Sequence, residues 1–263
     1  MNSKENPAED SIALAEHVAK ETARPLYTVV VPFYNEEAAA ALLLGEILSA
    51  LRQLDGPAEC LCIDDGSRDG TLEVLNAFAA APGSPVRVVA FPENRGQAAA
   101  LWAGLQEARG GIVITLDGDG QNDPADIPVL VRHLDRADLV CGIRADRNDS
   151  ALRRAMSRLA NRVRGRMLGD HMQDSGCAMK AMRREVVHAL VPIRTLYSFI
   201  PAMAVAGGFR LAEVPVRHRA RIGGKSNYGL LKFAVMPLVD MLGLLWFRKR
   251  CVRTRGESTG IVA

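Results

Sequence analysis

Tyr27-Thr-Val-Val-Val-Pro-Phe-Tyr-Asn-Glu-Glu37 is the stretch whose reading decides the fold. Its first part, Tyr27 to Pro32, is a β-branched apolar run that reads as a buried strand. Polar residues then interrupt it, and from Glu36 to Leu54 Ala and Leu recur at helical spacing. A buried strand, a short polar loop and a helix make up the start of a parallel crossover unit.

The same pattern repeats downstream. Strands are expected at Glu59–Ile63, Val86–Phe91, Gly111–Leu116 and Asp138–Gly142, and helices at Thr71–Ala80, Gly96–Ala108 and Pro124–Leu134. A short helix at Ser11–Lys20 precedes the series. Beyond Arg144 the alternation fades into Arg-rich helix, followed by a late strand at Arg210–His218. Strands and helices alternating in this way imply an α/β fold, a mostly parallel sheet with helices on both faces. Such sheets bind ligands at the carboxyl ends of their strands. The polar motifs lie there: Pro32 to Glu37 after the first strand, Asp64 to Thr71 after the second, and Asp117 to Pro124 after the fourth.

Charge divides the chain. The net charge is only +3, but residues 1–130 hold 8 Lys/Arg against 20 Asp/Glu, and residues 131–263 hold 25 against 10. The first half suits cations and the second anions. Aromatic residues make up 5% of the chain and do not interleave with the Arg-rich stretch from Arg144 to Arg166, so a base-stacking nucleic-acid surface is not expected. Phosphorylated substrates and anionic lipid remain.

The five cysteines are scattered, without a Cys-x-x-Cys pair. Their odd number and the polar, acidic N-terminus point to a reducing cytoplasmic setting. Cys60 and Cys62 alternate on one strand and should share a packed face. No segment reaches the ~18 uncharged residues of a membrane span. The apolar stretch Tyr228 to Phe247 is broken by Lys232, Pro237 and Asp240 and closed by Arg248, Lys249 and Arg250. Two readings fit it: a helix lying in a membrane interface, or a terminal helix packed on the core.

Asp117 and Asp119 stand two residues apart just past an apolar strand, with Gln121 next in the alternation. Paired carboxylates at this spacing can hold Mg²⁺ or Mn²⁺, which in turn bridges nucleotide phosphates. Asp and Gly also make ordinary turns, so the weight comes from two further acidic loops on the same edge. Asp64 and Asp65 can accept from base N–H groups or ribose hydroxyls, or cap the next helix. Asn35, Glu36 and Glu37 face the same choice.

The ordered series Val31-Pro-Phe-Tyr-Asn-Glu-Glu37, Asp64-Asp-Gly-Ser-Arg-Asp-Gly-Thr71, Asn94-Arg-Gly96, Asp117-Gly-Asp-Gly-Gln-Asn-Asp-Pro124 and Asp174-Ser-Gly-Cys177 resembles the family 2 glycosyltransferases. Within them it looks most like the dolichol-phosphate mannosyltransferase and undecaprenyl-phosphate glycosyltransferase group. The resemblance implies a GT-A fold and inverting transfer of a sugar from a nucleotide-diphosphate donor to a polyprenyl phosphate. Asp117, Asp119 and Gln121 would be the metal and diphosphate site. Pro32, Tyr34, Glu36 and Asp64 or Asp65 would lie at the nucleotide sugar.

Ala151 to Asn161 resembles the family's acceptor helix, which puts Arg153 and Ser157, one turn apart, on the lipid phosphate. Arg144 is a further phosphate contact. Arg221 to Tyr228 resembles the closing loop, with Arg221 reaching the diphosphate. Here Asn227 follows Ser226 where the family usually has Lys, leaving Lys225 as a shifted substitute. Similarly, Gln97 stands after Arg95-Gly96 where Lys is common. Asp174 is the candidate for a base or orienting role, or a partner for one of the arginines.

The expected organisation is a polar extension over 1–24, a glycosyltransferase domain over 25–227, and a membrane-associating helix with basic tail over 228–263. The expected location is peripheral, on the cytoplasmic face of the membrane. A related transferase that extends a saccharide on a hydroxyl acceptor is the nearest alternative. Oligomeric state is left open.

Overall fold

The computed structural model describes residues 25–144, 164–222, 239–246 and 250. Strands β1 (Tyr27–Phe33), β2 (Ala58–Asp64), β3 (Val86–Ala90), β4 (Ile112–Thr115), β5 (Leu139–Arg144), β6 (Lys180–Arg183) and β7 (Leu211–Val216) form one sheet. Their spatial order is β3-β2-β1-β4-β6-β5-β7. All neighbours are parallel except β6, which runs antiparallel to both β4 and β5.

Side-chain alternation along β1 builds the two layers. Val29, Val31 and Phe33 point into one core with Cys60 and Cys62, covered by helices α1 (Glu37–Leu51), α2 (Thr71–Ala79) and α4 (Ile127–His133). Val30, Leu61 and Ile63 point into the other, covered by α3 (Gln97–Glu107), α5 (Arg184–His188) and α6 (Leu196–Ala206). Each fully buried Leu or Ile in these layers contributes about 1.5–3 kcal/mol.

The expected parallel α/β sheet is present, with four refinements. Helix α1 stops at Leu51, short of Leu54, because Asp55-Gly56-Pro57 follows and the residue before a proline avoids helical geometry. The Pro124–Leu134 helix divides into a 3-10 turn, Pro124–Asp126, and α4. Strand β6 was not foreseen: Lys-Ala-Met-Arg has no apolar alternation, although Lys180 is completely buried. An apolar helix, α6, lies in the second core between β6 and β7, where no element was assigned from sequence. The expected Ser11–Lys20 helix and most of the Arg-rich helix lie outside the described residues.

Residues 239–246 are helical, and one face of this helix packs on the core as the second reading expects. Leu244 is buried in the second core, with Met241 and Leu245 packed beside it. Asp240 Oδ2 accepts from both Thr195 N (3.1 Å) and Thr195 Oγ1 (2.6 Å), tying this helix to the start of α6. On the opposite face Val239, Leu242 and Trp246 are 59%, 55% and 63% exposed, and Arg250 lies over the Trp246 ring at 5.7 Å. Among the described residues no helix is long and apolar enough to cross a membrane.

Candidate active site

The three acidic loops meet at the carboxyl ends of β1, β2 and β4. Loops one and two are zipped together. Asn35, in the left-handed region at φ 55°, donates its N–H to Ser67 Oγ (3.0 Å) and accepts from Arg68 N through Oδ1 (2.8 Å). Glu36 N donates to Thr71 Oγ1 (2.9 Å), and Gly70 N to Glu37 Oε2 (3.1 Å). Gly66 permits the turn: at φ 67° a Cβ there would fall 2.7 Å from Asn94 N, which no side chain tolerates.

This zipper decides between binding and capping. Asp65 is a structural clamp: its carboxylate accepts from Arg95 N (2.7 Å), Gly96 N (2.9 Å) and Asn94 Nδ2 (2.8 Å), holding the turn into α3. Burial raises its pKa, and the two backbone donors oppose that rise. Asp64 accepts only from Ser67 N through Oδ2 (3.1 Å), while its buried Oδ1 has no hydrogen-bond partner among the described residues. Glu36 makes no cap bond to its helix; its Oε1 pairs with Arg221, and its buried Oε2 has no partner among the described residues. Burial raises the Glu36 pKa against the opposing pull of Arg221. A buried acceptor without a donor is costly, which makes Glu36 Oε2 and Asp64 Oδ1 the candidate ligand contacts of these loops.

Asp117 and Asp119 occupy the loop after β4. Asp117 Oδ1 accepts from Gln97 Nε2 (2.6 Å), at the first turn of α3. Burial, with a contribution from Asp119, pushes the Asp117 carboxyl up to about 6 against the opposing pull of Lys180, Gln97 and Arg144. Asp119 Oδ1 accepts from Gln121 N (3.0 Å), and Arg221 Nη1 stands 3.8 Å from Asp119 Oδ2. Gly120, at φ 74°, turns the loop beneath Ile222, whose Cγ1 would be 3.0 Å from a Cβ there. Pro32 is buried at the end of β1 and Tyr34 half-buried beside it; the Pro32 carbonyl would be 2.7 Å from a Cβ on Gly118. The first and fourth loops are thus in contact.

The residues fit a divalent cation that arrives with its ligand. Among the described residues no group of three or more His, Cys, Asp or Glu side chains could cage an ion. Magnesium and its relatives instead use one or two carboxylates and fill the remaining positions with phosphate and water. Two neighbouring carboxylates, close enough for Asp119 to raise the Asp117 pKa, supply the negative charge such an ion needs.

Arg144 and Asp174 come together on the other side of the loop. Arg144 Nε and Nη2 donate to Asp174 Oδ2 and Oδ1, each at 2.7 Å, a two-pronged pair. Burial lowers the Arg144 pKa, but the Asp174 bonds outweigh it and the net shift is upward. Glu213 on β7 fixes the turn by accepting from Gln173 N (3.0 Å) and Asp174 N (3.3 Å). Arg153, Ser157 and Lys225 lie outside the described residues.

Residues 28–191, more than half of the chain, match the model of Glycosyl transferase family 2. The chain belongs to glycosyl transferase family 2. It is 41% identical over 207 residues to the undecaprenyl-phosphate 4-deoxy-4-formamido-L-arabinose transferase of Aeromonas hydrophila, covering 78% of this chain and 64% of the relative. The enzyme of the same description from Pseudomonas aeruginosa (strain LESB58) is 42% identical over 208 residues, covering 79% of this chain and 61% of the relative. The chain therefore spans less than two thirds of the length of these relatives. Glucosyl-3-phosphoglycerate synthase from Mycobacterium tuberculosis, solved with Mn²⁺, UDP and glucosyl-3-phosphoglycerate, has the same fold at TM-score 0.62 and 23% identity, over 90% of this chain and 84% of that one. The same protein has been solved with Mg²⁺ and UDP, at TM-score 0.61.

Within this family 2 site, three groups escaped the sequence reading. Gln97 was visible only as a departure at a position where Lys is common. Lys180 is fully buried, donates to the Cys177 carbonyl and pulls on Asp117. No sequence signal marks it, because an isolated lysine reads as surface. Tyr197 at the start of α6 also feels the site: burial raises its phenol, and Asp117 adds to the rise.

Proposed function

We propose that this chain transfers a sugar from a nucleotide-diphosphate donor to a polyprenyl phosphate, of the undecaprenyl or dolichyl kind, as a peripheral enzyme on the cytoplasmic membrane face. The observation that carries the donor half is the pair Asp117 and Asp119 together with two buried carboxylate oxygens, Glu36 Oε2 and Asp64 Oδ1, that have no partner among the described residues. The activity of the undecaprenyl-phosphate transferases to which the chain is similar supports the acceptor half.

Asp64 receives the nucleoside through Oδ1, and Asp65 holds the loop that makes this possible. Pro32, Tyr34 and Glu36 line the same end, and Arg221 moves to the diphosphate, with Lys225 in support. Asp117, Asp119 and Gln121 would hold Mg²⁺ or Mn²⁺, which when bound would supply counter-charge for the departing diphosphate. A phosphate oxygen of the acceptor forms the new bond to the anomeric carbon as the bond to the donor diphosphate breaks, and the nucleoside diphosphate leaves with that electron pair. A phosphate monoester is already anionic near neutrality, with a second pKa of about 6, so no residue needs to remove a proton. Arg144, Arg153 and Ser157 position it instead. Asp174 then acts as the orienting partner of Arg144, a role supported by their two 2.7 Å bonds.

The exposed face of Val239, Leu242 and Trp246, followed by Arg248, Lys249 and Arg250, supports docking on an anionic membrane through the 228–263 segment. The division at residues 24 and 227 goes with this reading.

Purified protein given Mn²⁺, undecaprenyl phosphate and a panel of labelled nucleotide sugars should move label into the organic extract. Label found only on a soluble glycan, with none on lipid, would establish the hydroxyl-acceptor alternative.

A further inference from the structure

Beyond the end of β7, residues 217–222 run across the loop that bears Asp117 and Asp119. Arg217 pairs with Asp126 (Nη2 to Oδ1, 2.8 Å) and Asp123 (3.2 Å). His218 forms a bridge with Asn122. Ile222 N donates to the Asp119 carbonyl at 3.4 Å. Arg219, at the centre, reaches three residues. Its backbone N donates to the Gln121 carbonyl (2.8 Å) and its Nη2 to the Asn122 carbonyl (3.4 Å). Its guanidinium forks onto Glu46, Nη1 to Oε1 at 2.9 Å and Nη2 to Oε2 at 2.6 Å.

We infer that Arg219 and Glu46 are positioning residues for the donor site, a staple that fixes the Asp119–Gln121 loop against helix α1. The inference rests on the donor-site reading above and extends it to two residues outside every motif. Helix α1 begins directly after Glu36, so the Arg219–Glu46 pair joins the element carrying the first acidic loop to the end of the aspartate loop. Separation of those two loops sets where Glu36, Asp119 and the incoming diphosphate stand relative to one another.

The pair is poorly suited to a stabilising role. Its side chains are 34% and 30% exposed, and a pair this open to solvent adds at most about 1 kcal/mol to stability. What a bidentate fork adds is direction, and Lys, a point charge, cannot reproduce it. Groups that orient metal ligands from behind typically change metal affinity or activity by about 10- to 100-fold when removed.

The test reads ligand binding without acceptor. Mn²⁺ binding is measured by electron paramagnetic resonance, and UDP and GDP binding in the presence of Mn²⁺ by calorimetry, on wild type, Arg219→Met, Arg219→Lys, Glu46→Gln and the control Arg210→Met. Thermal melts run alongside. We expect Arg219→Met and Arg219→Lys to lose about 10-fold in Mn²⁺ and nucleotide affinity with nearly unchanged melting temperature, and Glu46→Gln to lose less. Arg210→Met, whose partner Asp138 lies at the start of β5, should match wild type. A folded Arg219→Met that binds like wild type overturns the inference. Should Arg219→Met fail to fold, wild-type binding by Glu46→Gln overturns it equally. If wild type itself binds neither Mn²⁺ nor nucleotide, the donor-site reading falls, and the inference with it.

Discussion

The acidic loops of the first half and the arginines of the second differ in how their charges are spent. At the ends of β1 and β2, Glu36 and Asp64 each keep a buried oxygen without a partner among the described residues. From the end of β5 onward, seven arginines (Arg144, Arg164, Arg183, Arg210, Arg217, Arg219 and Arg221) each stand within 4 Å of a carboxylate. The arginines of the second half are largely paired with carboxylates, although Arg164 Nε and Nη2, both Asp170 carboxylate oxygens and Arg219 Nε also lack a hydrogen-bond partner among the described residues. Sign of charge alone therefore does not mark a binding surface. What leaves the acidic half incomplete is that the unpartnered oxygens of Glu36 and Asp64 lie at the strand ends, where a parallel sheet takes its ligands.

The largest effect should come from the incomplete side. Asp119→Ala removes a carboxylate from the pair and is expected to lower transfer by on the order of 10²–10³-fold, comparable to losing a charge-stabilising group in other active sites. A steady-state assay with and without chelator checks it. Full activity of this variant in excess chelator would erase the distinction between the halves.

Arg153→Ala probes the other side, at a position outside the described residues. Losing an Arg fork from a phosphate should cost about 2–4 kcal/mol, seen as a raised polyprenyl-phosphate requirement or lowered turnover. Arg158→Ala and Arg166→Ala should be mild. Equal losses in all three would mean that no single arginine is singled out for the acceptor.

Leu242→Glu combined with Trp246→Glu should move the protein off anionic vesicles, since each apolar side chain buried in the interface contributes at most about 1.5–3 kcal/mol. Flotation with unchanged partitioning would assign the exposed face of helix 239–246 to something other than lipid.

Arg221→Met should have the smallest effect and the most telling sign. Arg221 neutralises Glu36 and approaches Asp119, so its loss should make Mn²⁺ alone bind more tightly while nucleoside diphosphate binds more weakly. Parallel titrations separate the two. Weaker binding of both would mean that Arg221 supports the empty site rather than standing in for the ligand's charge.

The sheet was legible because Val29 to Val31, Cys60 to Ile63 and Val113 to Ile114 are apolar runs followed by turn-forming residues, a local signal. So was the meeting of the acidic loops, since strand ends of a parallel sheet must share an edge. The division of labour between Asp64 and Asp65 was not. Adjacent aspartates have the same chemistry, and only the approach of Asn94 to Gly96 from another loop spends one of them. Strand β6 was hidden for a related reason: its burial comes from β4 and β5 on either side, and Lys180 within it looks solvent-bound in isolation. The Arg219–Glu46 staple joins residues 173 positions apart, beyond any local pattern.

Calorimetry of UDP and GDP in the presence of Mn²⁺, on Asp119→Ala and Arg153→Ala side by side, tests the division into donor and acceptor halves most directly. Asp119→Ala should lose metal-dependent nucleotide binding, and Arg153→Ala should bind as wild type does. Nucleotide binding weakened as much by Arg153→Ala as by Asp119→Ala would contradict that division.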